Sequence, residues 1–227
     1  MEKKYILTSE TKEVNNHILH RIKALKDFGD VHKGDLGGFL ENESNLSHEG
    51  TCWVSENATV YDEAYVGENA KVFERASVFD SAYVSGNARV YGATMVSEDA
   101  RVYKDAQIYG DAMVYGNAVI CNDAEIYDNA QVYDDACIGG TAKVYGNASI
   151  EGTAKVYGNA QVYDTAKVLD DARVSDDAQV YGNAMVLDDA SVGGTAEVFG
   201  NARVYGDAQV YGNARVENAS IVDTAIV

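Results

Sequence analysis

The chain of 227 residues contains no proline. Ordinary usage would supply roughly 11. A chain that avoids proline so completely needs its backbone N–H groups as donors along most of its length, as a long sheet does. Cysteine is scarce and odd in number: Cys52, Cys121 and Cys137 lack metal-ligand spacing and form no disulfide framework. Positive charge is also short, with 18 Lys and Arg against 36 Asp and Glu, a formal net charge of −18. That balance disfavours direct binding to a nucleic-acid backbone or an anionic membrane surface. No apolar run approaches the ~18 residues of a membrane-spanning helix. The opening Met1-Glu2-Lys3-Lys4-Tyr5-Ile6-Leu7 has no signal-peptide core. The expected location is the cytoplasm.

What the sequence has in abundance is one short pattern. From Ala58 to Ala214 every sixth residue is Ala, with Thr94 the single replacement, and two places after each stands Val or Ile, from Val60 to Val216. Alternation turns Ala and the aliphatic residue to one face of a short strand and their neighbours to the other. The next two positions, mostly Gly or Asp and then Asn, Asp or Thr, are turn residues that tolerate left-handed backbone. Each hexad therefore reads as a strand and a corner.

Val60 followed four places later by Ala64, repeated in register, resembles the hexapeptide repeat of left-handed parallel β-helices over about residues 52–227. The resemblance implies a triangular coil made of three hexads. The position after the aliphatic residue tests this when sampled every third hexad. It reads Phe73, Tyr91, Tyr109, Tyr127, Tyr145, Tyr163, Tyr181, Phe199, an unbroken aromatic column. The other two phases, Tyr61, Phe79, Ser97, Tyr115 onward and Gly67, Ser85, Tyr103, Cys121 onward, are mixed. An 18-residue period supports three faces per coil, and about nine coils at ~4.8 Å make a rod of roughly 43 Å. The expected architecture is thus all-β: a left-handed triangular parallel β-helix over 46–227, with a small β cap over 1–45.

The cap segment does not follow the repeat. Tyr5 to Leu7 and His17 to Leu25 read as strands, with Val14-Asn15-Asn16-His17 as the hairpin turn. Residues 1–33 carry seven basic and five acidic side chains, which leaves −20 on the remainder. Solenoids need caps because a coil end is both an open core and a sheet edge. At the other end Ala219 follows Ala214 by five places rather than six, and Asp223-Thr224-Ala225-Ile226-Val227 offers no polar cover. The expectation is a homodimer formed through this end. Segments such as Arg21-Ile22, Gly34-Asp35-Leu36-Gly37-Gly38-Phe39 and Cys52-Trp53-Val54 resemble the opening of phage- and prophage-borne hexapeptide-repeat proteins, including the YdcK type. That resemblance implies the acyltransferase label attached to such proteins on the strength of the repeat, and a phage-encoded protein acting in a host cytoplasm.

An acyltransferase on this fold needs a histidine as general base near its coils. The array from Ala58 to Ala214 has no histidine and no insertion; His17, His20, His32 and His48 all precede it, and His48 lies nearest. Glycines such as Gly92, Gly110 and Gly146 recur as corner residues, not as a phosphate cradle before a helix. No catalytic residue, metal ligand or cofactor is expected.

Sorting the corners by phase uncovers an asymmetry. The corner that begins at Asp62 carries Asp62, Glu63, Asp80, Glu98, Asp99, Asp134, Asp135, Asp170, Asp171, Asp188, Asp189 and Asp207, with no basic residue. It lies opposite the aromatic column. Asp at corners satisfies local donors, yet that does not explain its concentration on one corner of three. Three readings follow: a solvated edge, a docking ridge for a host protein with a basic, nucleic-acid-binding surface, and a row of divalent-cation sites. The G-G-x-G-x-D nonapeptide of calcium-binding β-rolls and the Thr-x-Thr columns of ice-binding helices are absent. The sequence favours a non-catalytic acidic binding protein, with the aromatic face as the alternative site. A self-assembling structural protein and an acyltransferase are the other readings.

Overall fold

The structure, a computed structural model, describes residues 2–227. It is a parallel β-solenoid of about ten turns, with three faces and three hexads to the coil. Two-residue strands such as Lys71–Val72, Arg89–Val90 and Gln107–Ile108 follow one another at intervals of one coil and pair in parallel. They build sheets of thirteen, ten and nine strands. Nearly every Ala and Val of the array has no exposed surface, so one apolar column fills the axis. Ala112 and Val114 are fully buried, as the hexad requires.

The hydrogen bonds explain the missing proline. In a typical hexad Lys71 N donates to Ala88 O, Phe73 N to Val90 O and Arg75 N to Gly92 O, at 2.9–3.0 Å. Strand and corner amides alike are spent on the next coil. The first corner residue is left-handed throughout, φ 56° at Asp62 and 71° at Gly116, a conformation closed to proline and open to Asp, Asn and Gly.

At the N-terminal end β1 (Tyr5–Val14) and β2 (His17–Ala24) form an antiparallel hairpin about Asn15 and Asn16, both with positive φ. The first strand runs well past the apolar pattern Tyr5–Leu7, as far as Val14, because its outer half needs only backbone pairing. The hairpin continues into β3 (Leu36–Leu40) and then, in parallel, into the solenoid. Parallel pairing starts at Phe39, inside the segment expected as cap, and Leu46 bridges Val66. Phe39 faces Thr59, where a regular coil would bring it against Asn57; the excess lies at the 3-10 turn Glu43–Asn45. Tyr5, Ile22 and Val31 join Trp53 and the array residues in a single core, so the hairpin plugs the open end.

At the other end the shifted register persists: Arg203 pairs with Ser220, where a regular coil would present Ile221, and Asn218 takes the left-handed corner. Ile226 is 75% exposed beyond the last strand. Among the described residues no helix is long and apolar enough to cross a membrane.

Thr94, where the array departs from Ala, is fully buried and its hydroxyl has no partner. An unsatisfied buried hydroxyl costs about 1–3 kcal/mol, against about 0.8 kcal/mol for the methyl group lost on truncation. Thr94→Ala is therefore expected to raise the thermal midpoint, by about 1 kcal/mol in stability. A fall in the midpoint on calorimetry contradicts this account.

Candidate binding surface

The aromatic column stands on the ten-strand face. Its rings stack from Phe73 to Phe199 with centroids 4.7–5.0 Å apart and planes within 8°. Four of the six hydroxyls end on neighbours in the same face: Tyr109 donates to Glu125 at 3.0 Å, Tyr145 to Gln161 at 3.3 Å, Tyr163 to Gln179 at 3.2 Å and Tyr181 to Glu197 at 3.0 Å. Burial pushes the Tyr127 and Tyr163 hydroxyls up to about 12, so they stay neutral. Each stacked pair adds about 0.5–1.5 kcal/mol beyond burial. Ring faces and most of the hydroxyls are used inside the protein, which makes the column a stabilising strip.

The acidic corner joins the thirteen-strand and nine-strand faces. All twelve sequence-predicted ridge residues line it, and every one but Asp62 is exposed. They divide into two columns with different work. In the first, Asp62, Asp80, Glu98, Asp134, Asp170 and Asp188 each accept the amide of the equivalent residue in the next coil; Glu98 takes Gly116 N at 2.9 Å and Asp188 takes Gly206 N at 3.0 Å. These carboxylates tie coil to coil. Acids at the other corners do the same, as Asp176 does for Gly194. The second column points outward. There Asn117 donates to Asp135 and Thr153 to Asp171, while Glu63, Asp99, Asp189 and Asp207 have no side-chain hydrogen bond or ion pair among the described residues. Sequence reasoning saw one ridge because corner position alone does not reveal which carboxylates face an amide.

Asp62 marks where the cap meets the ridge. His17 Nδ1 lies 3.1 Å from Glu41 and Nε2 lies 3.5 Å from Asp62, with Tyr61 against the ring at 5.2 Å. Glu41 also accepts Asp62 N at 2.7 Å. Three ligand types come close enough to suggest a metal centre. The two carboxylates nevertheless address opposite ring nitrogens, which suits a protonated imidazole between two anions and not one ion bound by all three. The Glu41 hydrogen bond is the main cause that raises the His17 pKa. Burial works to raise that of Glu41, but the His17 and Asp62 N–H bonds hold it below the usual carboxylate range. The residues come from positions 17, 41 and 62, and no periodicity connected them.

His48, just past Leu46 in the first coil, is half-buried against the cap. Its Nδ1 accepts Lys4 N at 3.2 Å, the tilted Tyr5 ring packs on it at 4.5 Å, and burial lowers its pKa; Nε2 is shielded and unpartnered. Lys4 beside it is fully buried, Nζ donating to Cys52 O at 2.9 Å, an arrangement that the sequence did not suggest.

The repeats at residues 82–98, 106–122, 178–194 and 208–223 match the family model described as YdcK Beta solenoid repeat. With the fold, this makes the chain a β-solenoid repeat protein of hexapeptide type. It is related to YdcK: a 50-residue segment is 40% identical to the Escherichia coli (strain K12) protein named "Uncharacterized acetyltransferase YdcK". That segment is 22% of this chain and 15% of the relative, so the match spans a small part of either protein.

The His17 clamp predicts a pH dependence. A raised pKa contributes stability that is present below the unfolded value near 6.5 and is lost as pH rises through the folded value; the depressed Glu41 contributes above about 4.5. Cap docking should be firmest at about pH 5–6.5 and loosen at higher pH. Amide exchange of β2 is expected to rise relative to the central coils between pH 6 and 8.5, after correction for intrinsic rates. In His17→Ala that pH-dependent difference should vanish.

Proposed function

We propose that the protein is a non-catalytic binding rod whose outward column of corner carboxylates docks a partner with a basic cleft. The observation that carries this reading is the unneutralised charge of the corner: among the described residues only Asp62, at the cap, enters an ion pair. Carboxylates at ~4.8 Å intervals repel one another. The first column offsets this with amide contacts; the outward column leaves most of its charge for solvent or a partner. A rigid, straight row of acids steers basic surfaces over long range and presents them with a fixed pattern. Resemblance to phage-borne repeat proteins points to a host protein that otherwise holds nucleic acid, with the rod as competitor. The intercoil spacing differs from that between phosphates, so the mimicry is of charge and rigidity.

The name of the YdcK relative favours a second reading, acetyl transfer. A general base has to reach an acceptor, and here His48 packs against Lys4 and Tyr5 while the array from Ala58 to Ala214 carries no histidine. Under the proposed function acetyl-coenzyme A shows no saturable binding and no turnover with amine or hydroxyl acceptors. Turnover abolished by His48→Ala would establish the acetyltransferase instead.

The ridge is tested by changing Asp135, Asp171, Asp189 and Asp207 to Asn, which keeps shape and removes four charges. Partner capture from host extract should weaken at least tenfold in the variant, and capture by the parent should fall steeply with salt because screening acts on exposed charge. Equal capture by the two proteins reduces the corner to a solubilising edge.

A further inference from the structure

Along the nine-strand face the position after the aliphatic residue reads small, small, tyrosine three times over, with Tyr103, Tyr157 and Tyr211 as the aromatic members. The hexad does not require this. On the ten-strand face the same position holds a ring in coil after coil, so the small residues here forgo about 0.5–1.5 kcal/mol for each stack not made. They also lie flush with the sheet: Ser85 is 6% exposed, whereas Tyr83 and Tyr157 stand out at 40% and 44%. The face is therefore a floor interrupted by tyrosines. Near the C-terminal end the ring of Tyr211 lies over Gly193 and fills its own floor. At Ser85 the floor is open.

That opening is a groove of about 610 Å³, lined by Ser81, Tyr83, Ser85, Asp99, Arg101 and Tyr103. The volume is that of a small-ligand site. Tyr83 pairs in register with Arg101, and Tyr103 stands two places further along the next strand, so the rings brace the groove diagonally. The polar groups differ from those of the aromatic column in one respect. Four of the six column hydroxyls, those of Tyr109, Tyr145, Tyr163 and Tyr181, end on Glu or Gln of the same face, while the side chains of Ser81, Ser85, Asp99 and Arg101 make no hydrogen bond or ion pair among the described residues. A guanidinium that only donates, a carboxylate that only accepts and hydroxyls that do both converge beside apolar ring surface.

We propose that this groove binds a pyranose unit of an oligosaccharide. A pyranose offers a C–H face for a tyrosine ring and a rim of hydroxyls that donate and accept, the two surfaces that the groove complements. One Asp and one Arg leave it near neutral, which disfavours phosphates and nucleotides. Diagonal rings also suit a puckered ring better than a flat base, which would need a sandwich. The groove borders the docking corner, with which it shares Asp99, but Tyr83, Arg101 and Tyr103 lie outside that corner, so the sugar contacts can be tested apart from partner docking.

The test is calorimetric titration of the 227-residue chain with maltohexaose, cellohexaose and chitohexaose. Saturable binding of at least one at millimolar concentration or below is expected. Tyr103→Ala and Arg101→Gln should each weaken it about tenfold, while Tyr127→Ala, in the stacked column, leaves it unchanged; unaltered thermal midpoints show that the groove variants are folded. No saturable binding of any of the three up to about 10 mM, or undiminished binding by both groove variants, overturns the proposal. The Asp135, Asp171, Asp189 and Asp207 variant, which spares the groove, should lose partner capture and keep sugar binding, so the two readings fail separately.

Discussion

Everything in this protein depends on the hydrogen bond that one coil makes to the next. Contacts within a hexad are too few to hold a two-residue strand, and an isolated coil buries almost nothing. Stacking supplies both the amide partners and the apolar axis, and it does so only while the register holds. A single strict period fixes the composition. Proline is excluded because nearly every amide is committed, Ala and Val recur because the axis has room for little else, and the corners must carry residues that accept left-handed backbone.

The corners show how a structural demand becomes a chemical feature. A left-handed first residue with a carboxylate can reach the amide of the corner below, so acids there are stabilising one by one. The second residue is free to face outward, and ladders such as Asn159 to Asp177 or Asn117 to Asp135 show that an amide donor above an acid is the satisfied arrangement. Asp171, Asp189 and Asp207 break that rule, acid above acid in successive coils. Local turn chemistry accounts for the first column and leaves the second unexplained, which is why the functional reading rests on the second alone.

How much the sequence disclosed follows from which features are periodic. Ala58 to Ala214, the aromatic column and the acidic corner are columns of one lattice whose period is the coil, so their placement was legible without coordinates. The start of parallel pairing at Phe39 was not, since its partner is Thr59 and not Asn57, and the excess that shifts it lies in a short turn. The His17 clamp joins three unrelated positions. The groove at Ser85 was written in the sequence as an order of small and aromatic residues, but its meaning depends on which polar side chains find partners, and that is a property of the assembled face.

The three sides of the rod can thus be ranked by how completely they satisfy themselves. On the ten-strand face rings stack on rings and most hydroxyls end on carboxylates or amides, so a ligand there would have to displace contacts already made. At Glu63, Asp99, Asp189 and Asp207 of the outward corner column, and at Ser81, Ser85 and Arg101 of the groove, charged and polar side chains have no partner among the described residues, so a ligand there exchanges mainly water. Binding is favoured where the free protein has the least to give up. In a solenoid this uniform the backbone amides are committed almost throughout, so what differs from one face to another is how far the side chains satisfy each other, and that difference is the basis on which the two sites are proposed.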